Sequence, residues 1–273
     1  MIQCLRMIYA KVIADSITGS GKRLTTMEVQ MHRFVLAEFN THRVFSRNSA
    51  SSRAIPVAKQ IRRVESDPAL PLSWGLNKSG MQAEVDLGKS DSRKAKRVWK
   101  KAAKQATKSA RKLEKIGVHK QLTNRVLEPF MWHTVIVSST DWDGFFEQRC
   151  SELAQPEIKH AALAMRDAYR KSVPDFIVTG EYHLPYLQPD EYYHSDETKI
   201  KICIARCARV SYLTHNNQKS ILKDIELFYK LRYAEPPHWS PMEHIATPIT
   251  DDLNSSGNFD GFAQIRHNLH LVS

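Results

Sequence analysis

The chain has 273 residues, 42% hydrophobic and 9% aromatic, with a formal net charge of +11. That composition describes a globular protein with a core, and no run of about 18 apolar residues is present to cross a membrane. The N-terminal "MIQCLRMIYAKVIADS" lacks the apolar segment and cleavage site of a signal peptide, and four cysteines, Cys4, Cys150, Cys203 and Cys207, are too few for a disulfide scaffold, so a reducing cytoplasm is the expected compartment.

"IYAKVIADS" and "RLTTMEVQM" flank the Gly/Ser turn "ITGSGK", which predicts a β-hairpin. "GSGK" is not a phosphate loop. That motif needs a Gly four places ahead of the Gly-Lys pair and Ser/Thr after the Lys, where this chain has Ser16 and Arg23. "HRFVLAEFNTHR" is apolar on one helical face. It leads into "FNTHRVFSRNSASSRAIP", which holds three arginines, a histidine and several hydroxyls without one acid. Pro56 can open a helix, "PVAKQIRRV", and a loop follows over 68–80.

Residues 89–120 hold 13 Lys/Arg and 2 Asp/Glu, so the rest of the chain is balanced at 27 of each sign. Ala95, Trp99, Ala102, Ala106, Ser109, Leu113 and Ile116 recur at alternating spacings of four and three, which predicts a helix with one buried stripe ending near Gly117. Its lysines read as a solvated face or as a non-specific contact for anionic partners. No recognised module for sequence-specific nucleic-acid binding accompanies them.

"QLTNRVLEPF" reads as helical up to Pro129, and the β-branched "WHTVIVSS" as a buried strand. "TDWDGFFEQRC" should be a helix capped by Thr140 with Asp143. Another helix is predicted over 155–171. A Pro- and Tyr-rich connection precedes the helices in "TKIKICIARCARVSY" and "NQKSILKDIELFYKLRY". "PPHWSPMEH" should lead into a strand "IATPI" and the loop "DDLNSSGN". Strands and helices mix without a break in composition, so the expected architecture is a single mixed α/β domain over 1–273, with 1–172 and 196–273 as its two portions.

Three polar clusters lie between these elements: the donor-rich stretch, "HWSPMEH", and the pair Arg125 and Arg149. Guanidinium forks suit phosphates and carbonyl-bearing rings. A metal at His238, Glu243 and His244 is disfavoured by spacing and by Pro241. Cys203 and Cys207, one helical turn apart, read as buried thiols. Cys150 ends a predicted helix, where the dipole does not favour a thiolate. Ser51 has no identifiable histidine base. Donors and cations without a nucleophile–base pair favour chemistry carried by a cofactor.

Together these motifs resemble the flavin-dependent thymidylate synthases. That family carries Arg-His-Arg followed by Ser, Asn, Ser and Arg; here the run is Thr41-His42-Arg43, Ser46, Asn48, Ser51, Arg53. Its His-x-Thr-Pro-Phe-Glu-His turn appears as "HWSPMEH", its Ala-Ala-Arg-Val-Ser helix end as "CARVS", and its two arginine helices as "NRVLEP" and "FFEQR". The usual order places the first two of these before the Arg-His-Arg loop. Here they come last, so the motif order is circularly permuted. "RLTTMEVQMHRFVLAEFNTHR" and "HIATPITDDLNSSGNFDGFAQIRH" resemble two copies of one segment, as a duplication would leave.

The resemblance implies reductive methylation of dUMP to dTMP with methylenetetrahydrofolate, NADPH and FAD, by a homotetramer with shared active sites. It assigns His42, Arg43, Ser46, Asn48, His238, Ser240 and Glu243 to the flavin. Ser51, Arg53, Arg125 and Arg149 go to the nucleotide together with Glu38 and Ser49, with Arg149 and Ser51 as catalytic residues. Glu38 stands where a phosphate-contacting glutamine is usual, Ser49 replaces a glutamate, Thr41 an arginine and Gly144 an asparagine. Gln264 and Arg266 in the second copy could supply lost donors. The rival readings are a C5 methyl- or hydroxymethyltransferase acting on dCMP or dUMP, and a catalytically silent nucleotide-binding homologue.

Overall fold

The computed structural model describes residues 8–83, 85–214, 220–249 and 257–268. Cys4 and most of "DDLNSSGN" lie outside the described residues. β1 (Tyr9–Ile17) and β2 (Arg23–His32) form the expected hairpin, paired antiparallel from Tyr9 opposite Gln30 to Ile17 opposite Arg23. Gly21 takes φ 80° in the turn, a conformation that glycine adopts freely. The helix expected next shrinks to a 3-10 turn at Arg33–Val35 and a single turn, α1 (Leu36–Phe39). The Thr41 hydroxyl donates to Glu38 O at 2.7 Å, a local bond that competes with helix continuation.

β3 (Ser46–Ser49) follows, then α2 (Val57–Ser66), opened by Pro56. The basic segment is α3 (Lys89–Ile116), stopped by Gly117 at φ 93°. Its buried stripe differs from the expectation: Ala103, Thr107 and Ala110 are buried, while Ala102 and Ile116 are exposed. The buried residues keep the spacing of four and three but sit one place further along, on the side of α3 that meets α2. Small side chains at the crossing let α3 approach α2 and the Leu127–Phe130 region. Lysines cover its solvent face.

α4 (Lys120–Thr123) runs into a 3-10 turn, Asn124–Phe130, and then β4 (Trp132–Ser139). α5 (Asp143–Arg149) begins later than expected, because Thr140 is not its cap. The Thr140 hydroxyl instead accepts from the Asp260 amide at 2.9 Å, and Trp142 holds the cap position. α6 (Pro156–Lys171), β5 (Asp175–Phe176), α7 (Asp196–Arg209) and α8 (Ile221–Arg232) complete the middle of the chain. A 3-10 turn at Ser240–Glu243, β6 (Ala246–Pro248) and β7 (Phe262–Gln264) close it.

The main sheet has the order β3-β4-β2-β1-β5, antiparallel except for β1 with β5. β6 pairs with β7, Ala246 opposite Gln264. A permuted chain should place the strands near Val29 and Ile245 in one sheet; instead β2 lies in the five-stranded sheet and β6 pairs with β7 in a separate one. The second copy's loop lies largely outside the described residues.

Strand alternation divides the core. Met27, Val29 and Met31 of β2 and Val135 and Val137 of β4 face Phe145 of α5 and Ile158 and Met165 of α6. Ile136 points the other way, onto Ile204 and Cys207 of α7, Phe228 of α8, Met242 and Ile245. Helices thus cover both faces of a mixed α/β sheet. Cys203 and Cys207 are wholly buried, and burial pushes both thiols up, away from the thiolate.

The second face also buries a polar chain. His183 Nδ1 bonds Ser16 Oγ at 2.8 Å and its Nε2 bonds Thr26 Oγ1 at 2.7 Å. Thr26 Oγ1 bonds Ser138 Oγ at 2.6 Å, and Ser138 Oγ bonds His244 Nδ1 at 2.8 Å. Burial pushes both histidines down to about 3 from 6.5, and each is neutral in the fold. The unfolded chain binds their protons first, so the stability they allow is present above pH 6.5 and is lost as pH falls toward 3. Each histidine should contribute a slope of about 1.4 kcal/mol per pH unit within that window. Urea midpoints measured from pH 7 to pH 4 should fall steadily, and His244→Gln should flatten the decline.

Candidate functional site

β3 is an edge strand of the main sheet, so its outer side is open to other elements. The C-terminal segment docks there. Asn48 Nδ2 donates to Cys207 O at 2.7 Å, and Asn48 Oδ1 accepts from Ser211 and Ser240 at 3.3 Å each. Gln264 Nε2 donates to Ser46 Oγ at 2.8 Å and to Glu243 O at 2.9 Å. Arg266 donates to the Glu243 carboxylate. The "HWSPMEH" turn therefore meets the donor-rich stretch within one chain, where a meeting across subunits was expected.

The remaining members of that turn diverge. His238 is exposed, and His244 belongs to the buried chain on the sheet. His238, Glu243 and His244 thus have three different surroundings.

Arg149, from the end of α5, lies against the Thr41-His42 turn. Its Nε–H donates to His42 Nε2 at 2.9 Å, and its Nη2 donates to Thr41 Oγ1 at 3.1 Å and to Glu38 O at 3.4 Å. A His42 nitrogen that accepts is unprotonated. Burial first, then Arg149 and Arg47, hold the imidazole below its usual range. The ring stands edge-on to Phe145, centroids 4.8 Å apart. The two residues assigned to different ligands thus bond each other. Glu38 Oε2 is buried without a hydrogen-bond partner. Arg43 points elsewhere, into an open cleft of about 790 Å³ lined with Asp141, Trp142, Tyr169 and Asp260.

The residues assigned to the nucleotide converge better. Ser49, Ser51, Arg53 and Arg125 line one cleft of about 350 Å³ with Asn48. The Ser51 amide is fixed by Ser211 O at 3.0 Å, and its Oγ accepts from the Arg53 amide at 3.2 Å. The hydroxyl proton is left to donate. Arg149 is not among the lining residues. Sequence reasoning missed Arg33 and Arg47, which also line the cleft, and Glu128, which bonds Arg33 and Arg125. Arg47 was visible as the second of the three arginines of the stretch. Glu128 sits inside the quoted "NRVLEP", but pairing across 95 residues leaves no local mark.

The residues assigned to flavin do not form a cradle inside one chain. Ser46, Asn48, Ser240 and Glu243 are bonded to protein groups, His42 is bonded by Arg149, and Arg43 and His238 face away from them.

Residues 24–175 match the family model described as Thy1, thymidylate synthase complementing protein. The match spans more than half of the chain, which belongs to this family, the flavin-dependent thymidylate synthases. Among solved structures, a UMP/dUMP methylase, PolB, from Streptomyces cacaoi bound with 5-Br dUMP is similar at 15% identity and TM-score 0.48, over 60% of this chain and 90% of that one. The same enzyme bound with 5-Br UMP gives 16%, 0.48, 60% and 89%. Among curated protein sequences none matches significantly.

Asn48 is the joint of the two portions, and Asn48→Ala removes its bond to the Cys207 carbonyl, which keeps the Val210 amide, together with the acceptor of Ser211 and Ser240. A loss of about 1–3 kcal/mol in unfolding free energy is expected. Asn48→Asp, which sets a carboxylate against that carbonyl, should lose more. Urea denaturation of the two variants checks both the size and the order.

Proposed function

We propose that the protein methylates C5 of a pyrimidine nucleotide, converting dUMP to dTMP with methylenetetrahydrofolate as the one-carbon source and NADPH as the reductant. The observation that carries this reading is the convergence of arginines 33, 47, 53 and 125 with Ser49 and Ser51 on one cleft, in a chain of this family. Several guanidinium forks beside hydroxyls suit a phosphate monoester.

In this reading Arg53 and Arg125 bind the phosphate and the Ser51 hydroxyl donates to it. Glu38 would approach the phosphate end unfavourably as a carboxylate, and Ser49 would replace a charged partner with a neutral donor. Arg149 donates to a uracil carbonyl, where it would stabilise negative charge as C5 becomes nucleophilic; its Nε and Nη2 hold His42, Thr41 and Glu38 and leave Nη1 for this role. FAD, proposed from the family, would supply the redox chemistry. Its residues would come together only on assembly, so the proposed state is a homotetramer in the cytoplasm, with His42, Arg43, His238, Ser240 and Glu243 near subunit contacts. Circular permutation of one mixed α/β domain remains our account of the motif order. Among the described residues no helix is long and apolar enough to cross a membrane.

Arg53 is exposed and, among the described residues, its guanidinium makes no ion pair, so Arg53→Ala should leave the melting temperature unchanged. One charge-assisted hydrogen bond is worth about 1.5–3 kcal/mol, so dUMP affinity should fall roughly ten- to a hundredfold. Calorimetric titration measures this. Product mass after incubation with dUMP or dCMP, each with methylenetetrahydrofolate, FAD and NADPH, tests the reaction; a cytosine-derived product alone would overturn the choice of base.

A further inference from the structure

Glu128 projects from the 3-10 turn that precedes β4. A single carboxylate oxygen, Oε1, accepts from three donors: the Ser52 hydroxyl, Arg125 Nη1 at 2.8 Å and Arg33 Nη2 at 3.2 Å. Arg33 is held from its other side as well, because its Nη1 donates to His133 Nδ1 at 2.9 Å. His133 is wholly buried. Burial first, then Arg33 and Arg63, hold it well below its usual range, so it is a neutral acceptor. The two arginines come from elements far apart in sequence, the turn after β2 and the turn before β4, yet one oxygen brings both to the same cleft. Ser52 adds the loop that carries Ser51 and Arg53.

We propose that Glu128 is the positioning residue of the phosphate cleft, and that Arg33, gathered by it, is an anion-binding residue of that cleft. The inference rests on reading the cleft as the nucleotide's phosphate site. Two effects of the carboxylate oppose each other. Its charge repels an incoming phosphate, and its bonds order two long side chains and one loop before the ligand arrives. Ordering is the larger effect here. Four arginines line the cleft while Glu128 stands behind two of them, outside the lining, and an arginine already fixed loses less freedom when it binds. A carboxylate that served only to neutralise the cleft would need no shared oxygen and no link to Ser52.

The test uses the full chain and three probes: inorganic phosphate, dUMP and deoxyuridine, which lacks the phosphate. Dissociation constants are measured by calorimetry for the wild type, Glu128→Ala, Glu128→Gln, Arg33→Ala and the Glu128→Ala/Arg33→Ala double variant, with a melting curve for each. Glu128→Ala should weaken phosphate and dUMP about tenfold, the size of one lost charge-assisted bond, and leave deoxyuridine unchanged. Glu128→Gln, which keeps an acceptor oxygen, should recover most of that loss. The double variant should lose less than the sum of the two single losses, because Glu128 acts partly through Arg33 and partly through Arg125 and Ser52. If Glu128→Ala does not fold, Glu128→Leu replaces it at similar span without an acceptor.

Unchanged or tighter phosphate binding in Glu128→Ala overturns the proposal. So does a parallel loss for deoxyuridine, or additive losses in the double variant. Should the wild type bind phosphate and not dUMP, the nucleotide reading fails, and the positioning role is decided on the phosphate series alone. If it binds neither, both fall.

Discussion

The second face of the sheet carries polar side chains that cannot be buried without partners, and the rest of the structure follows from how they are satisfied. Ser16, Thr26 and Ser138 project from three neighbouring strands. A buried hydroxyl without a hydrogen bond costs free energy comparable to a lost bond. His183 and His244 complete the chain of bonds, and they arrive on the segments before and after α7 and α8. Those two helices are therefore fixed over Ile136, and the turn at Ser240–Glu243 is fixed beside β3. A neutral imidazole suits His183, which bonds Ser16 through one nitrogen and Thr26 through the other, whereas His244 bonds Ser138 through Nδ1 alone. A second apolar layer would hold the helices as well, but it would not set their register so narrowly.

That docking decides which polar residues remain available for a ligand. Asn48 and Ser46 alternate with Arg47 and Ser49 along β3, so the strand presents one pair inward and the other outward. The inward pair bonds the C-terminal segment, and the outward pair lines the arginine cleft. One short strand thus joins the structural seam to the candidate site. A shift in the seam would move the cleft wall with it, since Ser211 bonds both Asn48 and the amide of Ser51.

Local signals in the sequence were reliable where one element suffices. The hairpin around Gly21, the helix stop at Gly117 and the buried strand "WHTVIVSS" need only turn chemistry and side-chain type, and each is present. The signals failed where a partner decides. Thr140 has the composition of a helix cap, but the amide of Asp260 claims it. The lysine-rich helix is legible, yet which of two adjacent stripes is buried depends on its contact with α2, which spacing alone does not fix. The candidate site divides in the same way. Ser49, Ser51, Arg53 and Arg125 line one cleft, whereas Ser46 and Glu243 are bonded within the protein and Asn48 is both bonded and part of the cleft lining. Residue type alone does not distinguish a donor held for a ligand from one that closes a seam.

Electrostatics explains why the cleft can hold its arginines at all. Arg33 and Arg125 bond the same oxygen at 3.2 and 2.8 Å, so the two bonded nitrogens lie no more than about 6 Å apart. Two unit charges at that separation repel by roughly 3 kcal/mol at the effective dielectric of a protein surface. Arg125 is half exposed, and solvent screening lowers the figure. Glu128 offsets the remainder for this pair, but Arg47 and Arg53 gain nothing comparable from it. The cleft therefore keeps an excess of positive charge in the free protein, and that excess is relieved only when an anion enters. A dianionic phosphate relieves it more fully than a single carboxylate would, and the bidentate geometry of guanidinium matches phosphate oxygens in pairs. The same unrelieved charge that makes the free cleft unfavourable is what favours its ligand.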